Sequence, residues 1–255
     1  MILVFDIDGV IRDVAGSYRR ALADTVEQFT QGAYRPTPQE IDALKGEGLW
    51  NNDWEASQEL IYRYFEQQGQ PRSQVDLSYE TIVAFFQGKY RGEQPDGTWT
   101  GYITQEPLLV DAAYFDALTA AEVKWGFFSG ATTASATFVL TQRVGLRSPL
   151  LVAMEDAPGK PDPTGLFAAL TQLGEHPGDR PVAYVGDTVA DMHTVVQARQ
   201  IQPDRRWLGL GVLPPHIAAD ADRREAYSDG LRQAGADRVV SSVREITPAW
   251  LDGIL

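Results

Sequence analysis

Two aspartates, Asp6 and Asp8, stand two residues apart at the end of the apolar run Met1–Phe5. In a strand, residues two apart project to the same side. Both carboxylates then leave the strand tip together, while Ile7 between them is free to enter a core. Crowded acids repel one another and lose hydration, and a bound cation offsets both costs. Other apolar runs end in polar groups too. Phe127-Phe128 leads into Ser129-Gly130, and Lys160 lies soon after the run at Leu150–Met154, in Gly159-Lys160-Pro161. Tyr184-Val185-Gly186 ends in Asp187, with Asp191 four residues on. A helix beginning near Thr188 would set Asp187 and Asp191 on one face.

The set holds a hydroxyl, a lysine and four carboxylates. Carboxylate-rich sites suit hard cations, and Mg²⁺ takes one or two carboxylates together with substrate phosphate and water. A carboxylate that attacks a phosphate dianion meets repulsion of roughly 4 kcal/mol per pair of unit charges, at about 4 Å and an effective dielectric of about 20. A divalent cation and Lys160 would counter it. The Ser129 hydroxyl and the N–H groups of Ser129 and Gly130 suit phosphate oxygens, helped by the start of a following helix.

These residues need strands to carry them. Candidate strands are Ile2–Phe5, Val123–Phe128, Leu150–Met154, Val182–Val185, Trp207–Leu210 and Arg238–Val240. Helix-length segments separate most of them, which predicts an α/β fold with a parallel sheet and crossover helices. In such sheets, ligands bind beyond the carboxyl ends of the strands, where the six polar residues fall. The gap between the first two strands is far longer than a crossover needs. It reads as helical. Tyr18, Ala21, Leu22, Val26 and Phe29 share one helix face, and Thr37-Pro38-Gln39-Glu40 is a capping box with proline at the first helical position. Leu60, Ile61, Tyr64 and Phe65 make a further face, as do Tyr79, Ile82, Val83 and Phe86. Residues 14–105 are therefore expected to form an α-helical domain inserted into a core made of 1–13 and 106–255. The turn-rich stretch Gly92–Gly101 marks the approach to the return.

Composition narrows the function classes. The formal net charge of −13 argues against nucleic acid and against an anionic membrane as partners. The absence of cysteine excludes disulfides, thiolate metal sites and a cysteine nucleophile. The apolar opening run is too short to span a bilayer and lacks a basic flank, so a cytoplasmic location is expected. Between two of the inserted helices lies Gly46-Glu47-Gly48-Leu49-Trp50-Asn51-Asn52-Asp53-Trp54. It admits two readings: a turn in which Asn52 or Asp53 caps the next helix, or a loop whose Trp50, Asn51 and Asn52 touch a substrate.

Taken together, the motifs resemble those of the haloacid dehalogenase (HAD) superfamily of phosphohydrolases. Asp6-Ile7-Asp8-Gly9-Val10 is similar to the first family motif and Ser129 at a strand end to the second. Lys160-Pro161-Asp162-Pro163 matches the third, and Gly186-Asp187-Thr188-Val189-Ala190-Asp191 the fourth. The helical insertion resembles the C1 cap of the phosphoglycolate phosphatase and β-phosphoglucomutase branch. The resemblance implies a Rossmann-like core with helices on both faces of its parallel sheet. It implies a Mg²⁺-dependent phosphatase acting on a small phosphorylated metabolite through an aspartyl-phosphate. Asp6 would be the nucleophile and Asp8 the general acid and base; Asp6, the Asp8 main-chain carbonyl and Asp187 would hold Mg²⁺. Ser129, Gly130 and Lys160 would bind the phosphoryl group, and Asp191 would support the metal from behind or orient Lys160. In related caps the specificity loop lies in a turn comparable to the one at Trp50–Asn52. A phosphomutase using the same two aspartates is the alternative, and a non-catalytic binding protein is a third reading. A monomer and a dimer are both compatible with the sequence.

Overall fold

The computed structural model describes residues 1–47, 49–50, 52–175 and 180–254. The chain divides into two compact units, one made of Met1–Asp13 with Pro107–Leu255, the other of Val14–Glu106.

In the first unit, six strands form one sheet among the described residues: β1 (Ile2–Phe5), β2 (Lys124–Phe128), β3 (Leu151–Val152), β4 (Val182–Gly186), β5 (Trp207–Val212) and β6 (Arg238–Val240). Their order is β3-β2-β1-β4-β5-β6 and every pairing is parallel. The chain builds outward from β1 to β3, then crosses back to lay β4 on the other side of β1. That reversal opens a crevice at the carboxyl ends of β1 and β4, beyond Phe5 and Gly186. The third strand is shorter than the apolar run Leu150–Met154 predicts. It is an edge strand and pairs only with Phe127 and Phe128, while Met154 is exposed.

Alternation along β1 assigns its faces. Ile2 and Val4 join Phe128, Val182 and Tyr184 in a core completed by Leu166, Ala169 and Leu170 of one helix (Thr164–Gln172) and Val195 and Ala198 of another (Val189–Ile201). Phe5 turns to the opposite face. There it meets Phe115 of the helix Ala112–Ala120 edge-on at 5.8 Å and Phe127 at 6.1 Å. Burying each large apolar side chain contributes roughly 1.5–3 kcal/mol, so both faces hold the strand tips in place. Among the described residues, no helix is long and apolar enough to cross a membrane.

The second unit is helical. Among its described residues four α-helices build it, α1 (Tyr18–Phe29), α2 (Pro38–Gly46), α3 (Asp53–Gln67) and α4 (Tyr79–Tyr90). The Thr37 capping box opens α2 as its sequence predicts, with Glu40 bonded back to Thr37. Tyr18 of α1 stacks on Tyr90 of α4 at 4.2 Å and lies 6.0 Å from Phe86. The turn-rich stretch forms a small hairpin in which Glu93 bridges Trp99. At its neck, Gly92 has φ +58, and a Cβ there would meet the backbone nitrogen of Gly101 at 2.5 Å. Where the chain leaves the first unit it also returns, since the Asp13 N–H donates to Pro107 O at 2.9 Å.

Candidate active site

The tip of β1 is pinned on both sides. The Asp6 N–H donates to Val185 O at 2.8 Å, which continues the β1–β4 ladder one residue past the strand. Beyond it the chain turns tightly, with Ile7 O accepting from the N–H groups of Ile11 and Arg12 at 2.7 and 3.2 Å. Gly9 is needed in that turn. Its φ is +74, and a Cβ would come within 2.0 Å of Asp187 Oδ2. The missing side chain lets the β1 turn and the Asp187 carboxyl share one space.

Asp6 is buried, and its Oδ2 lies 3.0 Å from Lys160 Nζ. Its Oδ1 is buried without a hydrogen-bond partner. Lys160 also donates to Asp191 Oδ1 at 2.6 Å. Asp191 is wholly buried and fully engaged. Besides Lys160, its Oδ1 lies 3.2 Å from the Tyr184 hydroxyl, while Oδ2 accepts from Thr188 N–H at 2.9 Å and Thr188 Oγ1 at 2.6 Å. Thr188 in turn accepts from the Asp191 N–H, so Asp191 is the third helical residue of a capping box that starts the helix Val189–Ile201. A Cβ on Gly186 would strike the Asp191 carboxyl at 2.4 Å, which accounts for glycine there.

Ligand atoms of Asp6, Asp187 and Asp191 lie within 4.8 Å of one another. This proximity is costly. Burial pushes the Asp6 carboxyl up to about 6; Lys160 pulls against the rise, and Asp191 and Asp8 add to it. Burial, then the Asp191 and Asp6 charges, push Asp187 well above the ordinary carboxylate range. For Lys160 burial acts downward, but Asp191 and Asp6 outweigh it and hold the ammonium charged, well above its usual value. An orphaned buried oxygen on Asp6, two carboxyls pushed up by burial and repulsion, and an all-oxygen donor set together fit a hard divalent cation.

Ser129 is buried at the end of β2, where its Oγ accepts from the Ala131 N–H at 3.2 Å, and Gly130 beside it is exposed. Asp8 is held by Arg12, whose Nε and NH2 both reach Asp8 Oδ1, at 2.7 and 2.6 Å. The residues Trp50 and Asn52 lie in the helical unit. Trp50 Nε1 donates to Glu47 Oε2 at 2.8 Å. Asn52 is the N-cap of α3, its Oδ1 accepting from Trp54 N–H at 2.9 Å and Glu55 N–H at 3.4 Å. Asn51 lies outside the described residues. Since Asn52 caps a helix, Asn52→Ala is expected to lower stability by about 1 kcal/mol, read as a fall in the melting temperature of the purified chain.

Three residues near the site are not in the set the sequence offers. Arg12, next to Asp13, reads as one of a pair of ordinary surface charges. Tyr184 reads as an ordinary strand aromatic, yet its hydroxyl donates to Phe128 O at 2.9 Å and ties the middle of β4 to the end of β2. Tyr227, from the helix Ala221–Gln233, donates to the main-chain oxygen of Asp187 at 2.9 Å. No local motif announces that contact.

An open parallel sheet carrying a buried acid–lysine–acid cluster at its switch point defines an α/β protein with a polar ligand site beyond the carboxyl ends of its strands. The haloacid dehalogenase-like hydrolase model matches residues 1–198, and the chain belongs to that family. A Phytophthora nicotianae protein named imidazoleglycerol-phosphate dehydratase is 29% identical over 244 residues, which are 94% of this chain. The chain spans about half the length of that curated relative, 50% of it. Among solved structures, phosphatase Tt82 from Thermococcus thioreducens is similar with a TM-score of 0.65 and 24% identity, over 83% of this chain and 93% of that one. β-Phosphoglucomutase from Clostridium difficile is similar with a TM-score of 0.60 and 15% identity, over 99% and 96% of the two chains. At these identities the two structures speak for the fold.

Proposed function

We propose that the chain is a Mg²⁺-dependent phosphatase that hydrolyses a small phosphorylated metabolite through an aspartyl-phosphate on Asp6. The observation that carries this reading is Asp6 itself. It is a buried carboxylate with one oxygen on Lys160 and the other without a protein partner. Asp6, the Asp8 main-chain carbonyl and Asp187 would hold the cation, whose positive charge would offset the repulsion between carboxylate and phosphate. Asp6 attacks phosphorus, the bond to the leaving oxygen breaks, and Asp8 supplies the proton that oxygen needs. In the second half-reaction Asp8 takes a proton from water as it attacks the phosphoryl group, and Asp6 is released. Lys160, Ser129 and the Gly130 N–H bind the phosphoryl oxygens. Asp191 orients Lys160, a role supported by the full occupation of its own oxygens.

The helical unit is read as a C1-type cap that selects the leaving group, with the segment Trp50–Asp53 as its specificity loop. The test is a panel of phosphorylated metabolites with Mg²⁺, read by phosphate release. The relative from Phytophthora nicotianae is named for imidazoleglycerol phosphate, so imidazole-bearing phosphate esters belong on the panel beside sugar phosphates, nucleotides and phosphoglycolate. Phosphate release from at least one ester is expected. Conversion to an isomeric sugar phosphate without release would favour the mutase, and no turnover by folded protein would contradict both.

A further inference from the structure

Arg12 is wholly buried, with 0% of its side chain exposed, while the Asp8 side chain it holds is 28% exposed. Two guanidinium nitrogens converge on one oxygen, Oδ1, at 2.6 and 2.7 Å. The arm that carries them is fixed at its root. The Arg12 N–H donates to Ile7 O, its carbonyl accepts from the Gly9 N–H at 2.9 Å, and its backbone bridges Leu108. Burying a guanidinium costs free energy, and an apolar side chain of similar volume often packs as well or better in place of a buried ion pair. Packing alone therefore does not call for arginine at this position, and a specific polar contact does. The contact with Asp8 is the one that reaches a residue of the site.

We propose that Arg12 is a positioning residue for Asp8: it fixes Oδ1 and so dedicates Oδ2 to proton exchange, first with the leaving group and then with water. This rests on the phosphatase reading above. In the first half-reaction the Asp6–phosphorus bond forms, the bond from phosphorus to the leaving oxygen breaks, and the proton on Asp8 Oδ2 passes to that oxygen. In the second, water attacks phosphorus, its proton returns to Asp8 Oδ2, and the Asp6–phosphorus bond breaks. Both transfers demand a carboxyl held within a few tenths of an ångström. An aspartate anchored through one oxygen to a rigid arm meets that demand.

The experiment compares wild type, Arg12→Met and Arg12→Lys in the full chain with Mg²⁺, on p-nitrophenyl phosphate and phenyl phosphate. The nitrophenolate leaves readily without a proton; the phenolate leaves poorly without one. The ratio kcat/KM reports the chemistry up to the loss of the leaving group, whereas kcat also includes hydrolysis of the phosphoenzyme. Arg12→Met is expected to lower kcat/KM for phenyl phosphate by about 10²-fold and for p-nitrophenyl phosphate by less than about 3-fold, with kcat lowered for both because the second half-reaction loses its base. Arg12→Lys, with its single donor group, should show the same split at smaller size, and it carries the test if the methionine variant does not fold. A folded variant whose kcat/KM falls equally on the two esters, or on neither, overturns the role of Arg12. If wild type hydrolyses neither aryl ester, the variants are compared on the best ester of the metabolite panel, where a fall in both kcat and kcat/KM is expected and unchanged rates overturn the role. A wild type that releases phosphate from no ester at all overturns the phosphatase reading, and the positioning role falls with it.

Discussion

Asp6→Asn is expected to lower turnover by about 10³-fold or more while leaving the chain folded. The amide keeps the shape of the side chain but cannot attack phosphorus. Its neighbours explain why the fold survives. Asp6 is a buried acid whose Oδ1 has no hydrogen-bond partner among the described residues, and its Oδ2 pairs with Lys160, which keeps Asp191 as a second partner. Steady-state rates on the best ester of the substrate panel check the first half of the expectation, and a melting curve the second. Preparations need to be free of wild-type enzyme, since a trace would mask a loss of this size. Near-normal rates in a clean preparation would remove Asp6 from the chemistry.

The second large effect concerns pH and metal together. In metal-free protein, Asp6 holds its proton up to about 6, against 3.8 for an ordinary aspartate. The folded chain thus binds that proton more tightly than the unfolded chain does. The sign follows from linkage: folding stability falls as pH rises between these two values, and Asp6 accounts for on the order of 3 kcal/mol of the fall. Asp187 acts in the same direction. Carboxylates held low by hydrogen bonds and ion pairs, such as Glu47 at about 2, act in the opposite direction. The difference between wild type and Asp6→Asn cancels those common contributions. In chelator, the stability of Asp6→Asn relative to wild type should therefore rise as pH goes from about 4 to about 7. Mg²⁺ should reverse this by stabilising wild type, and more so at pH 7 than at pH 5, because it binds the ionised carboxylates. Melting curves at several pH values, with chelator or with Mg²⁺, measure both. A relative stability that stays flat in chelator would mean that burial does not raise the Asp6 carboxyl.

Much of this fold was readable because its signals are local. The β1 run ends at Phe5 and the acids follow at once, so both the strand and its tip were evident. Thr37 and Glu40 announced α2 in four residues. The expected helix start near Thr188 puts Asp191 in the first turn, but Asp187 precedes the N-cap Thr188 and stands outside that helix, so the two do not share a helix face. What was not readable depends on contacts far apart in the chain. Tyr184 looks like any strand aromatic until β4 lies between β1 and β5 and its hydroxyl meets Phe128 O. Tyr227 reaches the Asp187 carbonyl from forty residues away. The length of β3 is set by its pairing with Phe127 and Phe128, a long-range contact that the apolar run Leu150–Met154 does not announce. Arg12, next to Asp13, reads as one of a pair of ordinary surface charges, and its burial is a property of the folded turn.

The most direct test of the central claim is to catch the phosphoenzyme. Enzyme mixed with substrate and Mg²⁺, quenched in acid within the first turnover and treated with borohydride, would have any acyl phosphate reduced to an alcohol. Peptide mass spectrometry then finds the altered residue. Nucleophilic catalysis by Asp6 predicts homoserine at position 6, formed only with substrate present and absent from Asp6→Asn. Turnover with Asp6 unmodified, or modification at another carboxylate, would contradict it.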